Sequence, residues 1–195
     1  EFRRVLFRSI RPIIGPKARP LTERRFEATP ERLARGRYLA NSVSGCVYCH
    51  GELDWQVAGF PVKPGTEGVG RSLASEGLPF LSVPNITPDP ETGAGTWTDD
   101  MLARSIREGI GHDGRALFPL MPYAQYRYMS DEDVASIVVY VRSLPPVKRR
   151  QAAPAIPFPV NRFINAVPEP VVNPVSQPDR SNKVAYGDYL VRIGA

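Results

Sequence analysis

Apolar residues recur every three to four positions in the last helical stretch of this chain, which predicts an amphipathic helix. The stripe consists of Val134, Ile137, Val138, Val141 and Leu144. Ser130 and the three acidic residues that follow it are typical of a helix start. The pair Pro145-Pro146 cannot continue a helix, so the predicted element ends there.

An earlier helix is predicted from Thr29 to about Ser44. Thr29 supplies a capping hydroxyl, Pro30 fits the first helical position, and Glu31 places an acid in the first turn. Gly36 lies inside this helix, where glycine costs about 1 kcal/mol relative to alanine. That cost suggests a close contact with another element, although exposed helix glycines are also tolerated.

A further helix is predicted from Thr98, whose hydroxyl precedes two aspartates, to about Gly109. Proline-rich loops separate it from the other two helices. Strand-like alternation of apolar and polar residues is not prominent around them. The pattern therefore predicts a small all-α domain.

The pentapeptide at 46–50, Cys-Val-Tyr-Cys-His, is the most specific chemical signal in the chain. Cys-x-x-Cys-His is the attachment signal for c-type haem, in which two thioethers hold the haem and the histidine ligates iron. Cys46 and Cys49 are the two cysteines of the sequence, so none remains for a disulfide. A thioredoxin-like dithiol would need a βαβ context. A zinc site would need four ligands from Cys46, Cys49, His50 and His112, and adjacent Cys49 and His50 are poorly placed to share one ion.

An electron-carrying haem iron takes a second axial ligand, for which three methionines and one histidine compete. Met121 lies between Pro119 and Pro122, and prolines favour an extended loop that can lay a thioether on a haem face. Met101 fits a helix interior, and Met129 fits a staple before the last helix. His112 lies among glycines in a polar turn. Met121 is therefore the predicted ligand, with His112 as the main alternative.

The region from Thr29 to Pro146 resembles a class I cytochrome c domain. It is similar to the cytochrome subunits that serve membrane-bound quinoprotein alcohol dehydrogenases and to related multi-haem cytochromes. The resemblance rests on Gly36-Arg37-Tyr38-Leu39-Ala40, Pro84-Asn85-Ile86-Thr87-Pro88-Asp89, Gly95-Thr96-Trp97 and Met121-Pro122-Tyr123 around the haem motif. It implies an all-α fold of three main helices around one covalently bound haem c, with long Pro-rich extended segments. In that fold Gly36 would let the first and last helices cross closely.

The resemblance also implies roles for loop residues. The carbonyl of Pro84 would accept the second N–H of the ligating His50, and Asn85 joins it in the candidate haem-binding set. Candidate contacts to the haem propionates, each with a donor group, are Trp97, Arg115, Tyr123 and Tyr126. A simple turn role for Pro84, and plain packing of the aromatic rings, are the alternatives. With iron ligated by His50 and Met121, no catalytic residue is expected.

Charge is distributed unevenly along the chain. The whole sequence carries a net charge of +5, yet residues 28–146 carry −4, residues 1–27 carry +5 and residues 147–195 carry +4. Nucleic-acid binding would need a basic face on the domain, so no nucleic-acid partner is expected. An acidic domain instead favours an electropositive redox partner.

Four segments are expected: an N-terminal extension at 1–27, a cytochrome c domain at 28–146, an extended Pro-rich linker at 147–180, and the first helix of a truncated second cytochrome c domain at 181–195. In the last segment, Tyr186-Gly187-Asp188-Tyr189-Leu190 repeats the Gly, Tyr and Leu of Arg35-Gly36-Arg37-Tyr38-Leu39. One haem is expected here and at least two in the full-length protein. An isolated helix of this length is marginal in water, so the tail is expected to be disordered or adventitiously packed.

Residues 1–9 resemble the translation of a sequencing adapter and are interpreted as an artefact. A basic anchor or the charged start of a targeting signal is the alternative.

The expected function is one-electron transfer through a His/Met-ligated haem c in a respiratory or dehydrogenase chain. Expected partners are a dehydrogenase subunit, other cytochromes or a terminal oxidase. The resemblance implies a location in the bacterial periplasm or on the periplasmic face of the inner membrane, with membrane association through a partner or a missing terminus. A di-haem oxidoreductase, thiosulfate-dehydrogenase-like or peroxidase-like, is the alternative and would need an exchangeable iron position.

Overall fold

The computed structural model describes residues 10–194, so the adapter interpretation of residues 1–9 falls outside the described part. The chain forms two compact units. The motif unit consists of Phe26–Trp97 and Ala135–Ile156 and contains the Cys-x-x-Cys-His sequence. The methionine unit consists of the chain up to Arg25, Thr98–Val134 and the chain from Pro157 onward, and contains all three methionines.

The chain is mostly helical, as predicted, and a short helical stretch at 10–14 comes first. The elements that follow are α1 Pro30–Tyr38, a π-helical turn Leu39–Val43, α2 Cys46–His50, β1 Arg71–Ser72, a 3-10 turn Ala74–Glu76, β2 Ser82–Val83, α3 Asp99–Glu108, α4 Tyr123–Tyr126, α5 Asp131–Ser143, α6 Val160–Phe163, a 3-10 turn Ile164–Ala166, and α7 Lys183–Ile193. The pairing of β1 with β2 is antiparallel and was not predicted. Within residues 10–194, no helix is long and apolar enough to cross a membrane.

The first predicted helix is confirmed in the motif unit. The hydroxyl of Thr29 accepts the backbone N–H of Arg32 at 3.2 Å, and Pro30 occupies the first helical position. Gly36 faces α5, where an added Cβ would lie 1.9 Å from the backbone oxygen of Ser136. The close crossing predicted for Gly36 is therefore present. It brings α5 against α1.

The predicted apolar stripe of α5 is buried along its whole length. Val139 and Tyr140 are also buried, so the helix is enclosed on more than its striped face. The core of the motif unit includes Ala40, Val47, Tyr140 and Leu144.

Helix α3 of the methionine unit begins and ends where the sequence predicts. The hydroxyl of Thr98 accepts the N–H of Met101 at 3.1 Å, and Gly109 ends the helix with φ of +70°. A residue with a side chain is strained at that φ, which explains the glycine. On α3, the carboxylates of Asp100 and Glu108 pair with Arg19 at 2.6 Å and 2.8 Å. These two ion pairs fasten the segment around Arg19 to the helix.

The region after α5 differs from expectation in two ways. The Pro-rich stretch was predicted to be extended, but α6 and the following 3-10 turn interrupt it with helical structure at 160–166. The tail was expected to be disordered or adventitiously packed, but α7 is a regular helix whose Tyr189 and Ile193 are buried. Val184 of the same helix is 84% exposed. Packing within the methionine unit supplies what an isolated helix would lack.

Candidate functional site

Helix α2 carries all three chemical groups of the haem motif on a little over one turn. It follows Gly45, which has φ of +61° and lets the chain turn out of the π-helical segment into α2. Cys46 is partly buried and Cys49 is exposed, and both are free thiols. Residues three apart on a helix lie on the same face, so the two thiols can reach one planar group.

Both cysteines are protonated at neutral pH in this environment. Burial, together with the neighbouring Cys49, raises the pKa of Cys46 to about 12. Burial also raises the pKa of Cys49. A zinc site needs thiolates. The pair therefore does not have the character of zinc ligands.

The imidazole of His50 is buried and oriented by one hydrogen bond. Its Nδ1 lies 2.9 Å from the carbonyl oxygen of Pro84, as the resemblance implied. Burial lowers the pKa of His50, so the ring is neutral at pH 7. Since the bond to a carbonyl requires the proton on Nδ1, the lone pair lies on Nε2. A neutral imidazole held in this tautomer fits a haem iron ligand.

The Pro84 carbonyl is held in place by a glycine that the sequence reasoning missed. Gly70 has φ of +74°, and a Cβ there would lie 2.6 Å from the carbonyl carbon of Pro84. The N–H of Gly70 also donates to the carbonyl of His50 at 2.8 Å. The spacing Gly68-Val69-Gly70 was the available signal for this close approach, because glycine is favoured where backbones meet.

Asn85 is buried and forms hydrogen bonds within the motif unit. Its Oδ1 accepts the N–H of Thr87 at 3.0 Å, and its Nδ2 donates to the carbonyls of Val147 and Arg149 at 2.8 Å and 3.2 Å. The side chain thus joins two segments of the chain. Thr87, Val147 and Arg149 were not among the predicted site residues, because their role depends on contacts about 60 residues apart.

The three methionines have different surroundings within their own unit. Met121 lies outside the helices in a turn, where its N–H donates to Phe118 at 3.2 Å and its carbonyl accepts from Tyr123 at 2.8 Å. Its side chain is partly buried. Met129 is fully buried in the core, and Met101 lies in α3. The backbone of Met121 is therefore fixed while its thioether is not enclosed by a helix.

The remaining predicted residues lie in the methionine unit or at its sequence boundary. His112 is exposed in the Gly111–Gly114 turn, and exposed Arg115 pairs with Asp113 at 2.9 Å. Tyr123 is 2% exposed, and its hydroxyl donates to the carbonyl of Leu117 at 3.3 Å. Burial raises the pKa of Tyr123 to about 12. This surrounding fits the packing alternative for Tyr123.

The other two aromatic candidates differ in burial. Tyr126 is buried in the core of the methionine unit, which also fits the packing alternative. Trp97 belongs to the motif unit and is partly buried, and its carbonyl accepts a hydrogen bond from Arg142.

Two thiols and a neutral, oriented imidazole on one short helix define a covalent haem attachment site. The model of the cytochrome c family matches residues 33–145, and the chain belongs to this family. The all-α class I cytochrome c fold is thereby confirmed, and so is haem c as the cofactor, over the zinc and dithiol alternatives.

Three curated relatives illustrate the comparison. The chain is 35% identical over 130 residues to a nicotinate dehydrogenase subunit of Pseudomonas putida, which covers 67% of this chain and 10% of the relative. It is 30% identical over 178 residues to the cytochrome c subunit of the quinone alcohol dehydrogenase of Gluconobacter oxydans, covering 85% and 34%. It is 32% identical over 120 residues to a diheme cytochrome c-type protein of Cereibacter sphaeroides, covering 62% and 39%.

The chain therefore spans well under half the length of these relatives. The matched domain is an electron-transfer module and not a catalytic subunit, as predicted.

Proposed function

We propose that this chain is the haem c domain of a bacterial dehydrogenase electron-transfer subunit, with His50 and Met121 as the axial ligands of one iron. The observation that carries the proposal is the hydrogen bond from His50 Nδ1 to Pro84, which leaves Nε2 as the ligating atom beside two thiols on α2. Bound haem c supplies one-electron chemistry at iron.

Each residue then has a defined task. Cys46 and Cys49 anchor the haem through thioether bonds, and His50 holds a fixed tautomer on one side. Met121 supplies a thioether from the other side, where its soft sulfur raises the reduction potential. With both axial positions taken, the iron has no open position for a substrate, so the domain carries electrons.

The expected partners follow from the relatives and from charge. The relatives named as dehydrogenase subunits support a dehydrogenase as the electron donor. Other cytochromes or a terminal oxidase would accept the electrons, and an acidic domain favours an electropositive partner surface. The proposed location is the periplasm or the periplasmic face of the inner membrane, with membrane association through a partner or a further part of the protein.

A second haem domain is proposed to follow α7. The repeat of Gly36, Tyr38 and Leu39 at Gly187, Tyr189 and Leu190 supports this, as does the relative named as diheme. The test is the gene sequence after Ala195, which is expected to encode another Cys-x-x-Cys-His motif shortly afterwards. An unrelated sequence there would contradict the second domain.

The ligand assignment is tested by removing each methionine in turn from the haem-loaded protein. Met121→Ala should abolish the weak far-red band of methionine-ligated ferric haem, lower the reduction potential and allow carbon monoxide to bind the ferrous iron. Met101→Ala is the matched control and should retain all three properties. Loss of the band in Met129→Ala, or of low-spin iron in His112→Ala, with a normal Met121→Ala protein, would reassign the ligand.

A further inference from the structure

The segment that follows α5 is attached to the loop that contains Pro84. We call residues 147–151 the strap. The N–H of Val147 donates to the hydroxyl of Thr87 at 3.1 Å, and the carbonyl of Val147 accepts from Asn85 Nδ2 at 2.8 Å. The N–H of Arg149 donates to the hydroxyl of Thr92 at 2.8 Å. Strap backbone and loop side chains therefore alternate as donors and acceptors.

The loop side of this attachment is buried and internally bonded. Asn85 is 2% exposed and Thr87 is 0% exposed. The Oδ1 of Asn85 accepts from both the N–H and the hydroxyl of Thr87, at 3.0 Å and 2.8 Å. These bonds determine which way the Asn85 amide points, with its NH₂ toward the strap. Buried networks of this kind are rigid when every member is paired.

The attachment lies one peptide unit from the haem-ligating histidine. The carbonyl that accepts from His50 Nδ1 belongs to the peptide bond between Pro84 and Asn85. Because a peptide unit is planar, the position of Asn85 fixes the direction of that carbonyl. The strap therefore holds the acceptor through Asn85, and this restraint adds to the close approach of Gly70.

The charged side chains of the strap are less suited to this task. Lys148 pairs with Glu91 at 2.6 Å, and Arg149 pairs with Glu52 at 2.5 Å, but these side chains are substantially exposed. Exposed ion pairs contribute little and are screened by salt. The buried backbone contacts are the ones that persist at high ionic strength.

We propose that Asn85 and Thr87 are positioning residues that use the strap to keep the Pro84 carbonyl on His50, and thereby set the basicity of the proximal ligand. This inference rests on the proposed ligation of iron by His50. A firm hydrogen bond to the second ring nitrogen makes the ligating nitrogen more basic. A more basic ligand stabilises ferric iron, so loosening the strap raises the reduction potential.

The test uses the haem-loaded full chain and the variant Thr87→Val, which keeps the shape of the side chain but removes the hydroxyl. Two readouts are measured: solvent exchange of the His50 Nδ1 proton by NMR, and the reduction potential. Thr87→Val should exchange this proton about tenfold faster, as expected for the loss of one buried hydrogen bond. Its potential should rise, and the iron should stay low-spin.

Two controls separate this role from general loosening. Thr87→Ser restores the hydroxyl and should behave like the wild type. Gln151→Ala removes a different strap contact, from Nε2 to the carbonyl of Val69 at 3.2 Å, and should leave both readouts unchanged. Should Thr87→Val fail to give haem-loaded protein, Thr92→Val removes the hydroxyl that accepts from Arg149 and should shift both readouts in the same direction.

Unchanged exchange and potential in the folded Thr87→Val protein would overturn the inference. Equal shifts in Thr87→Val and Gln151→Ala would also overturn it, because the effect would then not pass through Asn85 and Thr87. A wild-type protein whose His50 N–H signal shows no influence of iron would instead refute the ligation by His50. The two failures are thus distinguishable.

Discussion

One hydrogen bond determines the chemical form of His50. The bond to Pro84 keeps the proton on Nδ1, and burial keeps the ring neutral. The two thiols depend on neither effect, since they lie on α2 itself. Attachment of haem and ligation of iron should therefore be separable at the level of single residues.

This separation predicts the behaviour of His50→Ala. The protein should retain haem after acid-acetone extraction, because Cys46 and Cys49 remain, but should not form a stable low-spin product, because the proximal ligand is lost. Visible spectra before and after extraction check both parts. His112→Ala is the matched control and should be low-spin. Haem that extracts freely from the wild type would contradict covalent attachment.

A second residue-scale prediction concerns acid stability and Asp100. Burial alone would raise the pKa of Asp100, but hydrogen bonds from Arg19 and Thr22 outweigh it and lower the pKa to about 2 from 3.8. Asp100 therefore stabilises the fold fully above about pH 4, and this contribution is lost as the pH falls towards 2. Urea unfolding at several pH values should show this loss in the wild type.

The matching variant is Asp100→Asn, which leaves Arg19 without one of its two carboxylates. Because the Asp100 side chain is 0% exposed, we expect a loss of about 3 kcal/mol in the free energy of unfolding at pH 7. The acid-dependent loss between pH 4 and 2 should also become smaller. Glu23→Gln, at an exposed site in the same segment, should change neither quantity by more than about 0.5 kcal/mol.

At the scale of elements, the crossing of α1 and α5 depends on one missing side chain. A Cβ at Gly36 would lie 1.9 Å from the Ser136 carbonyl oxygen, which is backbone and cannot rotate away. Gly36→Ala should therefore destabilise the domain by about 3 kcal/mol or more. Thermal unfolding of the haem-loaded protein measures this effect.

Gly187 in α7 provides the matched control for that variant. It is also a helical glycine, but a Cβ there would meet nothing within 4 Å. Gly187→Ala should stabilise α7 by up to about 1 kcal/mol through helix propensity. If both variants were equally harmful, the crossing contact would not be the cause.

The helices were predictable because their signals are local. Thr29, Thr98 and Gly109 end or begin helices through groups that lie within one turn, and the stripe of α5 repeats within a single element. The ribbon of β1 and β2 has two residues per strand, too few to show alternation. The strap was equally hidden, because its backbone bonds to Thr87 leave no periodic pattern in the sequence.

The same limit applies to the candidate site. Cys46, Cys49 and His50 were found because their chemistry is encoded by spacing within five residues. The bond from His50 to Pro84 spans 34 positions and was anticipated only through resemblance. Tyr123 and Tyr126 show the opposite error of emphasis, since a side chain with a donor group can serve the core equally well.

At the scale of the whole molecule, α7 is tied to the start of α5 by a single aromatic residue. The hydroxyl of Tyr189 donates to Asp133 at 2.6 Å and accepts the N–H of Ser130 at 3.0 Å. Burial and the hydrogen bond to Asp133 raise the pKa of Tyr189 to about 12, so the hydroxyl keeps its proton under physiological conditions. Residues far apart in the chain are thereby joined.

Removing this hydroxyl should release α7 without unfolding the rest. Tyr189→Phe should increase amide hydrogen exchange throughout 183–193 by an amount equivalent to about 2 kcal/mol, because a bond to a charged acceptor and a buried backbone partner are both lost. Tyr128→Phe, at a residue that is 52% exposed, is the control and should leave exchange in α7 unchanged. Uniform exchange changes across the chain would indicate global destabilisation instead.

The ion pairs of Arg19 also bear on where a working fragment of this protein can be cut. Family similarity begins at residue 33, yet Asp100 and Glu108 inside the matched region lie buried against a cation from outside it. A fragment trimmed to the matched residues would leave two carboxylates in the interior without that cation. Expression should therefore begin at or before Lys17, since homology and physical completeness assign this domain different starting points.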